Sequence, residues 1–142
     1  YFLLSHLEPE FFLLHLYQSL IYQVIILMLF YLEDQYAYML GMIAPSVWII
    51  LSVSTGLMGM AMRQVWWIVS PPYLGHKADA VSVMAAFTAL LAVLMIGFCA
   101  QRWKREFSGL GKGLRTFTVS FGVIVVYYGV LVFWFTRMIG AR

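Results

Sequence analysis

Charged residues are scarce in this chain, and their scarcity excludes a soluble globular protein. Only 11% of the 142 residues are charged, whereas 63% are hydrophobic. Soluble domains usually carry about a quarter charged residues. A chain of this length could not bury so much apolar surface in a soluble fold. The net charge of +3 is small and its cations are spread over the ends of hydrophobic segments, which argues against nucleic-acid binding.

Cysteine is almost absent as well. Cys99 is the single cysteine, which excludes an internal disulfide and a thiolate-built zinc or iron–sulfur site. We expect Cys99 to be a small buried residue. No positively charged N-terminal segment precedes a cleavage site, so the sequence predicts no secretory signal. No nucleophile–base pair or metal-ligand cluster is recognisable, so we predict no catalytic or metal-binding residues and expect no enzymatic activity.

The chain consists instead mainly of four long hydrophobic runs, whose interiors carry no Lys, Arg, Asp or Glu. The runs cover residues 11–32, 37–62, 80–100 and 116–138. A helix rises about 1.5 Å per residue, so about 20 residues cross a hydrocarbon core about 30 Å thick. The sequence therefore predicts an all-α integral membrane protein. Residues 1–142 form a single domain of four transmembrane helices, in an antiparallel bundle with short loops.

The second and third runs contain signals for helix shape and packing. Pro45 removes one backbone donor, so we expect a kink near it. Small residues recur on one side of each run, and small faces let helices approach closely in lipid. The two helices are predicted to pack through a set of small residues. These are Ser52, Gly56, Gly59, Ala85, Ala86 and Ala89.

Cationic and tryptophan residues mark the predicted ends of the spans, as is typical of the headgroup layer. The predicted membrane-interface residues are Arg63, Trp66, Trp67, Arg102, Trp103, Lys104 and Arg105. Five of the nine Lys and Arg residues lie in the connection 101–115. Positively charged short loops are retained in the cytoplasm. We therefore expect the connection 101–115 to be cytoplasmic and both termini to lie outside, in a bacterial inner membrane or its organellar equivalent.

A polar stripe interrupts the first run. Its members are spaced to share one helical face: His15, Gln18, Ser19, Tyr22 and Gln23. Polar groups facing hydrocarbon are costly, so we expect protein or water to shield this face. One interpretation makes His15, Tyr22 and Gln23 binding residues for a quinone, a lipid or a porphyrin pigment. The other makes the stripe a set of hydrogen bonds between helices, and no cofactor is demonstrable from the sequence.

Few charges, short connections and the lack of a recognisable site favour a small accessory subunit of a larger membrane complex. The 18% aromatic residues and nine methionines offer adaptable apolar surfaces for other helices or lipid-like cofactors. We expect the host to perform respiratory or photosynthetic electron transfer. The chain would stabilise its assembly or line a cofactor, lipid or quinone site, with bilayer lipid and other membrane subunits as partners. The alternative is a small homo-oligomeric transporter or channel, with the polar stripe lining its pathway.

Overall fold

The described part of the chain is helical apart from short connections. The computed structural model describes residues 12–69, 80–107 and 110–140. Its helices are α1 (Phe12–Tyr31), α2 (Gln35–Ser54), α3 (Leu57–Val69), α4 (Ala80–Glu106) and α5 (Leu110–Gly140). Four of them, all except α3, are long and apolar enough to cross a membrane. The prediction of an all-helical chain with four helices of spanning length is confirmed.

The connection between α1 and α2 is short, as predicted. The backbone N–H groups of Leu32 and Glu33 both donate to the carbonyl of Met28, at 3.0 and 3.2 Å, and close the end of α1. Glu33 has a φ of 42°, in the left-handed region that residues with a side chain rarely adopt. Asp34 returns to extended backbone before α2 begins. The connection between α1 and α2 therefore comprises only residues 32–34.

The prediction of one continuous second span over residues 37–62 is wrong. The helix α2 continues without a break through Pro45 and ends at Ser54, and α3 begins at Leu57. The backbone N–H and the hydroxyl of Thr55 each donate to the carbonyl of Leu51 at 2.9 Å, so this carbonyl has partners at the end of the helix. Gly56 then adopts a φ of 76°. The interruption lies at residues 55–56 and not at Pro45.

The sequence predicted a polar connection over residues 101–115, but most of the described residues in this range are helical. The connection between the two helices is therefore shorter than predicted. The helix α4 continues to Glu106 and α5 begins at Leu110. Arg102 and Glu106 form an ion pair at 3.2 Å one helical turn apart, and pairs with this spacing stabilise a helix slightly. Polar residues here are mostly good helix formers. The charged residues therefore indicate where the apolar segment of α4 ends, but the helix continues beyond that segment.

The helix α2 is central, because it contacts each of the other four helices. Its buried residues cover most of its circumference, whereas α4 and α5 each bury a narrow stripe. On α5 the buried side chains recur every three or four residues: Thr116, Ser120, Ile124, Tyr128 and Leu131. On α4 they recur every seven residues: Ala85, Ala92 and Cys99. The core therefore forms around α2, and large apolar side chains remain exposed on the outer faces of α1, α4 and α5.

A close approach between α2 and α4 lies at Gly41. A Cβ atom at this position would lie 2.6 Å from the Sγ of Cys99 and 3.5 Å from the side chain of Met95. Cys99 is fully buried, as expected from the sequence. The absence of a side chain at Gly41 is therefore what allows the two helices to pack at this distance.

The residues predicted to pack the second span against the third are buried to different extents. Ser52 and Ala85 are buried, and Ala86 and Ala89 are half-buried. No atom of the described residues lies within 4 Å of where a Cβ would stand at Gly56 or Gly59, so neither glycine makes the predicted contact with a described helix. The break at residues 55–56 changes which face of the following segment turns inward. Ala61 is the fully buried residue of α3.

Candidate functional site

The polar stripe of α1 is divided by the fold. His15, Gln18, Ser19 and Tyr22 are half-buried, whereas Gln23 is exposed. The hydroxyl of Ser19 donates to the carbonyl of Leu16 in its own helix at 2.8 Å. The described part of this chain therefore leaves Gln23 uncovered, and shielding of the whole face stays an expectation.

Tyr22 belongs to a group of contacts that joins three helices. The hydroxyl of the buried Tyr128 donates to the carbonyl of Ala44 at 3.4 Å. The hydroxyl of Tyr22 lies 3.4 Å from that of Tyr128, and can donate to it. Both distances are at the long end for hydrogen bonds. These contacts connect α1, α2 and α5, which agrees with the interpretation of the stripe as hydrogen bonds between helices at this residue.

A second tyrosine pair, Tyr17 of α1 and Tyr127 of α5, also joins these two helices. The rings of Tyr17 and Tyr127 stack with centroids 4.4 Å apart and an interplanar angle of 12°. Each hydroxyl donates to the backbone carbonyl of the other tyrosine. Trp134 meets the ring of Tyr17 edge-on, with centroids 6.3 Å apart. Tyr17 lies off the polar stripe, so the stripe's periodicity gave no signal for it.

A cleft of about 390 Å³ lies between α1, α2 and α5, beside Tyr128. Its polar lining residues are Gln18, Ser52, Thr55 and Tyr128, and most of its remaining wall is apolar, including Trp48 and Leu131. Small-molecule sites typically occupy about 300–1,000 Å³ and have an apolar lining with a few polar groups. Size and lining together make this cleft the best candidate site in the described part of the chain.

Two polar side chains in the cleft lack hydrogen bonds to the described residues: the amide of Gln18 and the hydroxyl of Ser52. Ser52 is only 4% exposed. Other hydroxyls of the same helix behave differently: Ser46 donates to the carbonyl of Met42 at 2.7 Å, and Ser54 to that of Ile50. Buried polar groups usually have a partner. Ser52 and Gln18 therefore present free hydrogen-bonding capacity to the cleft.

The predicted cofactor-binding residues do not form this cleft. Gln18 is the stripe residue that lines it, and His15, Tyr22 and Gln23 do not. Trp48 and Thr55 were not predicted as site residues, because their proximity to α1 depends on how α2 packs. Within the described ranges, no group of three His, Cys, Asp or Glu side chains could hold a metal ion.

A smaller cavity of about 270 Å³ lies where the end of α1 approaches α2 and α4. Glu33, Tyr38 and Arg102 line it together with apolar residues. Arg102 is half-exposed and already paired with Glu106. Its guanidinium carbon also lies 5.9 Å from the centroid of the Phe98 ring. The charged side chains that line this cavity are therefore Glu33 and Arg102, and both are exposed.

The predicted membrane-interface residues fall into two groups in the structure. The exposed ones are Arg63, Trp66, Arg102, Lys104 and Arg105. Trp67 and Trp103 are half-buried. Trp103 contacts the ring of Phe107, with centroids 5.4 Å apart, so part of its indole serves packing within the chain.

Comparison of the chain with known protein families, with curated proteins and with solved structures finds no match. The fold defines the class only as an all-helical chain with four helices capable of crossing a membrane. The features of this chain that bear on its function are therefore its exposed surfaces and its cleft.

Proposed function

We propose that this chain is an integral membrane protein whose four long helices cross the bilayer, and that it serves as a small accessory subunit of a larger membrane complex. Only 17% of the apolar window of α1, and of that of α4, is buried within the chain, compared with 44% for α2. The exposed apolar surface of α1 and α4 requires either acyl chains or other transmembrane helices around it. Both environments are found inside a membrane complex.

An antiparallel bundle is supported by which helix ends meet. The end of α1, the start of α2 and the end of α4 surround the smaller cavity, through Glu33, Tyr38 and Arg102. The start of α1, the end of α2 and the later part of α5 surround the larger cleft, through Gln18 and Ser52 among others. Helices that alternate in direction bring their ends together in this way. With the cation-rich segment 101–115 in the cytoplasm, both termini would lie outside.

The observation that carries the subunit proposal is a seam on the exposed face of α1. Exposed residues recur there at alternating spacings of three and four: Leu13, Leu16, Leu20, Gln23, Leu27 and Phe30. An average repeat of 3.5 residues is the spacing with which two helices interlock side chains along their length. The seam remains unoccupied by the described helices of this chain, since all six side chains are exposed.

Gln23 distinguishes this seam from a surface that merely faces lipid. It lies in the interior of α1, is exposed, and makes no hydrogen bond to the described residues. Acyl chains offer no hydrogen-bond partner for its amide, whereas another transmembrane helix can. The exposed residues of α4 within 87–98 are apolar or glycine, so that face is suited to lipid. A partner helix is therefore proposed on α1 and lipid on α4.

The proposed hosts are complexes of respiratory or photosynthetic electron transfer, because such assemblies commonly carry small subunits made only of membrane helices. Within the host, the chain would stabilise assembly, line a site for a cofactor, lipid or quinone, or do both. The second candidate function is a homo-oligomeric transporter or channel. It is favoured if the helix that occupies the α1 seam comes from a second copy of this chain.

Purification from native membranes in mild detergent tests this proposal. We expect the wild-type chain to migrate with a stoichiometric set of other membrane proteins, identified by mass spectrometry. Leu20→Trp places a bulky ring in the α1 seam and should release those proteins, whereas Leu94→Trp on the apolar face of α4 should retain them. Recovery of a lone homo-oligomer would overturn the subunit proposal in favour of transport. Unchanged partners in Leu20→Trp would overturn the assignment of the seam.

A further inference from the structure

We propose that the cleft between α1, α2 and α5 binds an uncharged, lipid-soluble molecule through a carbonyl group, with Gln18 and Ser52 as the hydrogen-bond donors. This inference deepens the site-lining part of the proposed function. It does not depend on the assembly of the chain with other subunits, because all the residues involved belong to this chain.

Ser52 provides the first argument. Its side chain is 4% exposed and lines the cleft, and its hydroxyl makes no hydrogen bond to the described residues. In the same helix, the hydroxyls of Ser46 and Ser54 donate to a carbonyl one turn earlier, and so does that of Thr55, the residue that follows the helix. A serine within a helix ordinarily has this option. The hydroxyl of Ser52 is therefore left available to an acceptor in the cleft.

Gln18 supplies a second donor from another helix that lines the cleft. It lies on α1, is half-buried, and has no hydrogen bond to the described residues. Tyr128, the other large polar group in the cleft, already donates to the carbonyl of Ala44. A carbonyl oxygen has two lone pairs and can accept from both Gln18 and Ser52. One carbonyl would thus satisfy both free groups.

The other residues that line the cleft restrict the charge and the polarity of the rest of the ligand. The described residues that surround it include no Asp, Glu, Lys, Arg or His, so a charged ligand would be desolvated without compensation. Trp48, Leu131 and Val132 provide an apolar wall, and Val132 is 46% exposed on the outside of α5. An apolar tail attached to the bound carbonyl can follow this wall toward the acyl chains.

Two kinds of membrane molecule share this chemistry: a quinone with an apolar tail, and an uncharged diacyl lipid with ester carbonyls. The cleft volume of about 390 Å³ accommodates a ring or a glycerol ester with the first part of its chain. The shared feature is a carbonyl acceptor on an uncharged amphipathic molecule. A binding experiment with competitors of both kinds separates the two sources.

The test uses the full chain in lipid nanodiscs and a benzoquinone that carries a photoreactive diazirine on a decyl tail. Crosslinked peptides are mapped by mass spectrometry at increasing probe concentration, with unlabelled decylbenzoquinone or diacylglycerol as competitor. Ser52→Ala and Gln18→Met each remove one donor with little change in volume. Ser46→Ala is the matched control, because it removes a hydroxyl of the same helix that donates to Met42.

We expect saturable labelling of the segment 48–57, with half-saturation raised about two- to tenfold in Ser52→Ala and in Gln18→Met and unchanged in Ser46→Ala. Competition by the quinone alone identifies a quinone site, and stronger competition by diacylglycerol identifies a lipid-ester site; both support the proposal. Labelling that is not saturable, or that is equal in all four proteins, overturns it. The cleft variants do not change the α1 seam, so they should still co-purify with the partner proteins. A failure of the ligand proposal can therefore be distinguished from a failure of the subunit proposal.

Discussion

The contact between α2 and α4 depends, at the scale of single residues, on the missing side chain at Gly41. The Sγ of Cys99 occupies the space that a Cβ would need, and the side chains of Met95 and Ile25 close the surroundings. In lipid, helix association relies on such packing because the hydrophobic effect does not drive helices together. The sequence indicated that small residues mediate this pair of helices and that Cys99 is buried. It could not identify Gly41, because the register between two helices is set by the packing of the whole set.

Gly41→Ala should lower the free energy of unfolding by about 1–3 kcal/mol, because the new methyl group overlaps the Sγ of Cys99. Thermal unfolding in detergent measures the change. Gly122→Ala is the control, since no atom of the described part of the chain lies within 4 Å of a Cβ at that helical position. Cys99→Ala removes the Sγ atom and should recover part of the loss when combined with Gly41→Ala. Equal stability of the two glycine variants would contradict the close contact.

At the scale of helices, length and hydropathy predicted four elements of spanning size, because bilayer thickness sets a length that can be read from composition. The boundaries were less predictable. Helical hydrogen bonding does not stop where apolar residues stop, so α4 continues through the polar segment that ends at Glu106. The break after Ser54 depends on local backbone geometry at Thr55 and Gly56, for which the sequence contains no strong signal.

The two glycines near the break should respond differently to the same substitution. Gly56 has a φ of 76°, a conformation that costs a residue with a side chain about 1–2 kcal/mol. Gly56→Ala should therefore destabilise the chain by about that amount, although nothing crowds the position. Gly59→Ala, in α3 and equally uncrowded, should be neutral or stabilise by up to about 1 kcal/mol through helix propensity. Unfolding midpoints in detergent compare them, and a larger loss in Gly59→Ala would refute this role of the break.

At the scale of the whole molecule, the arrangement around α2 brings together residues that no sequence pattern connects. Gln18 and Ser52 are on different helices, and their shared cleft also requires Tyr128 of α5. Of the polar stripe, Tyr22 contacts Tyr128 of α5 and Gln18 lines the cleft. The exposed Gln23 was unexpected. Periodicity gives the face on which a residue lies, but the partners of that face are set by the neighbouring helices.

The central claim is that the chain crosses the membrane four times, and cysteine labelling of cells tests it most directly. In a Cys99→Ala background, single cysteines are placed at Asp34, Tyr73, Ser108 and Arg142 and exposed to a membrane-impermeant maleimide before and after permeabilisation. Four crossings with a cytoplasmic 101–115 segment predict labelling of Tyr73→Cys and Arg142→Cys from outside. Asp34→Cys and Ser108→Cys should react only after permeabilisation. Labelling of Asp34→Cys and Ser108→Cys from opposite sides, or of Tyr73→Cys and Asp34→Cys from the same side, would contradict the account.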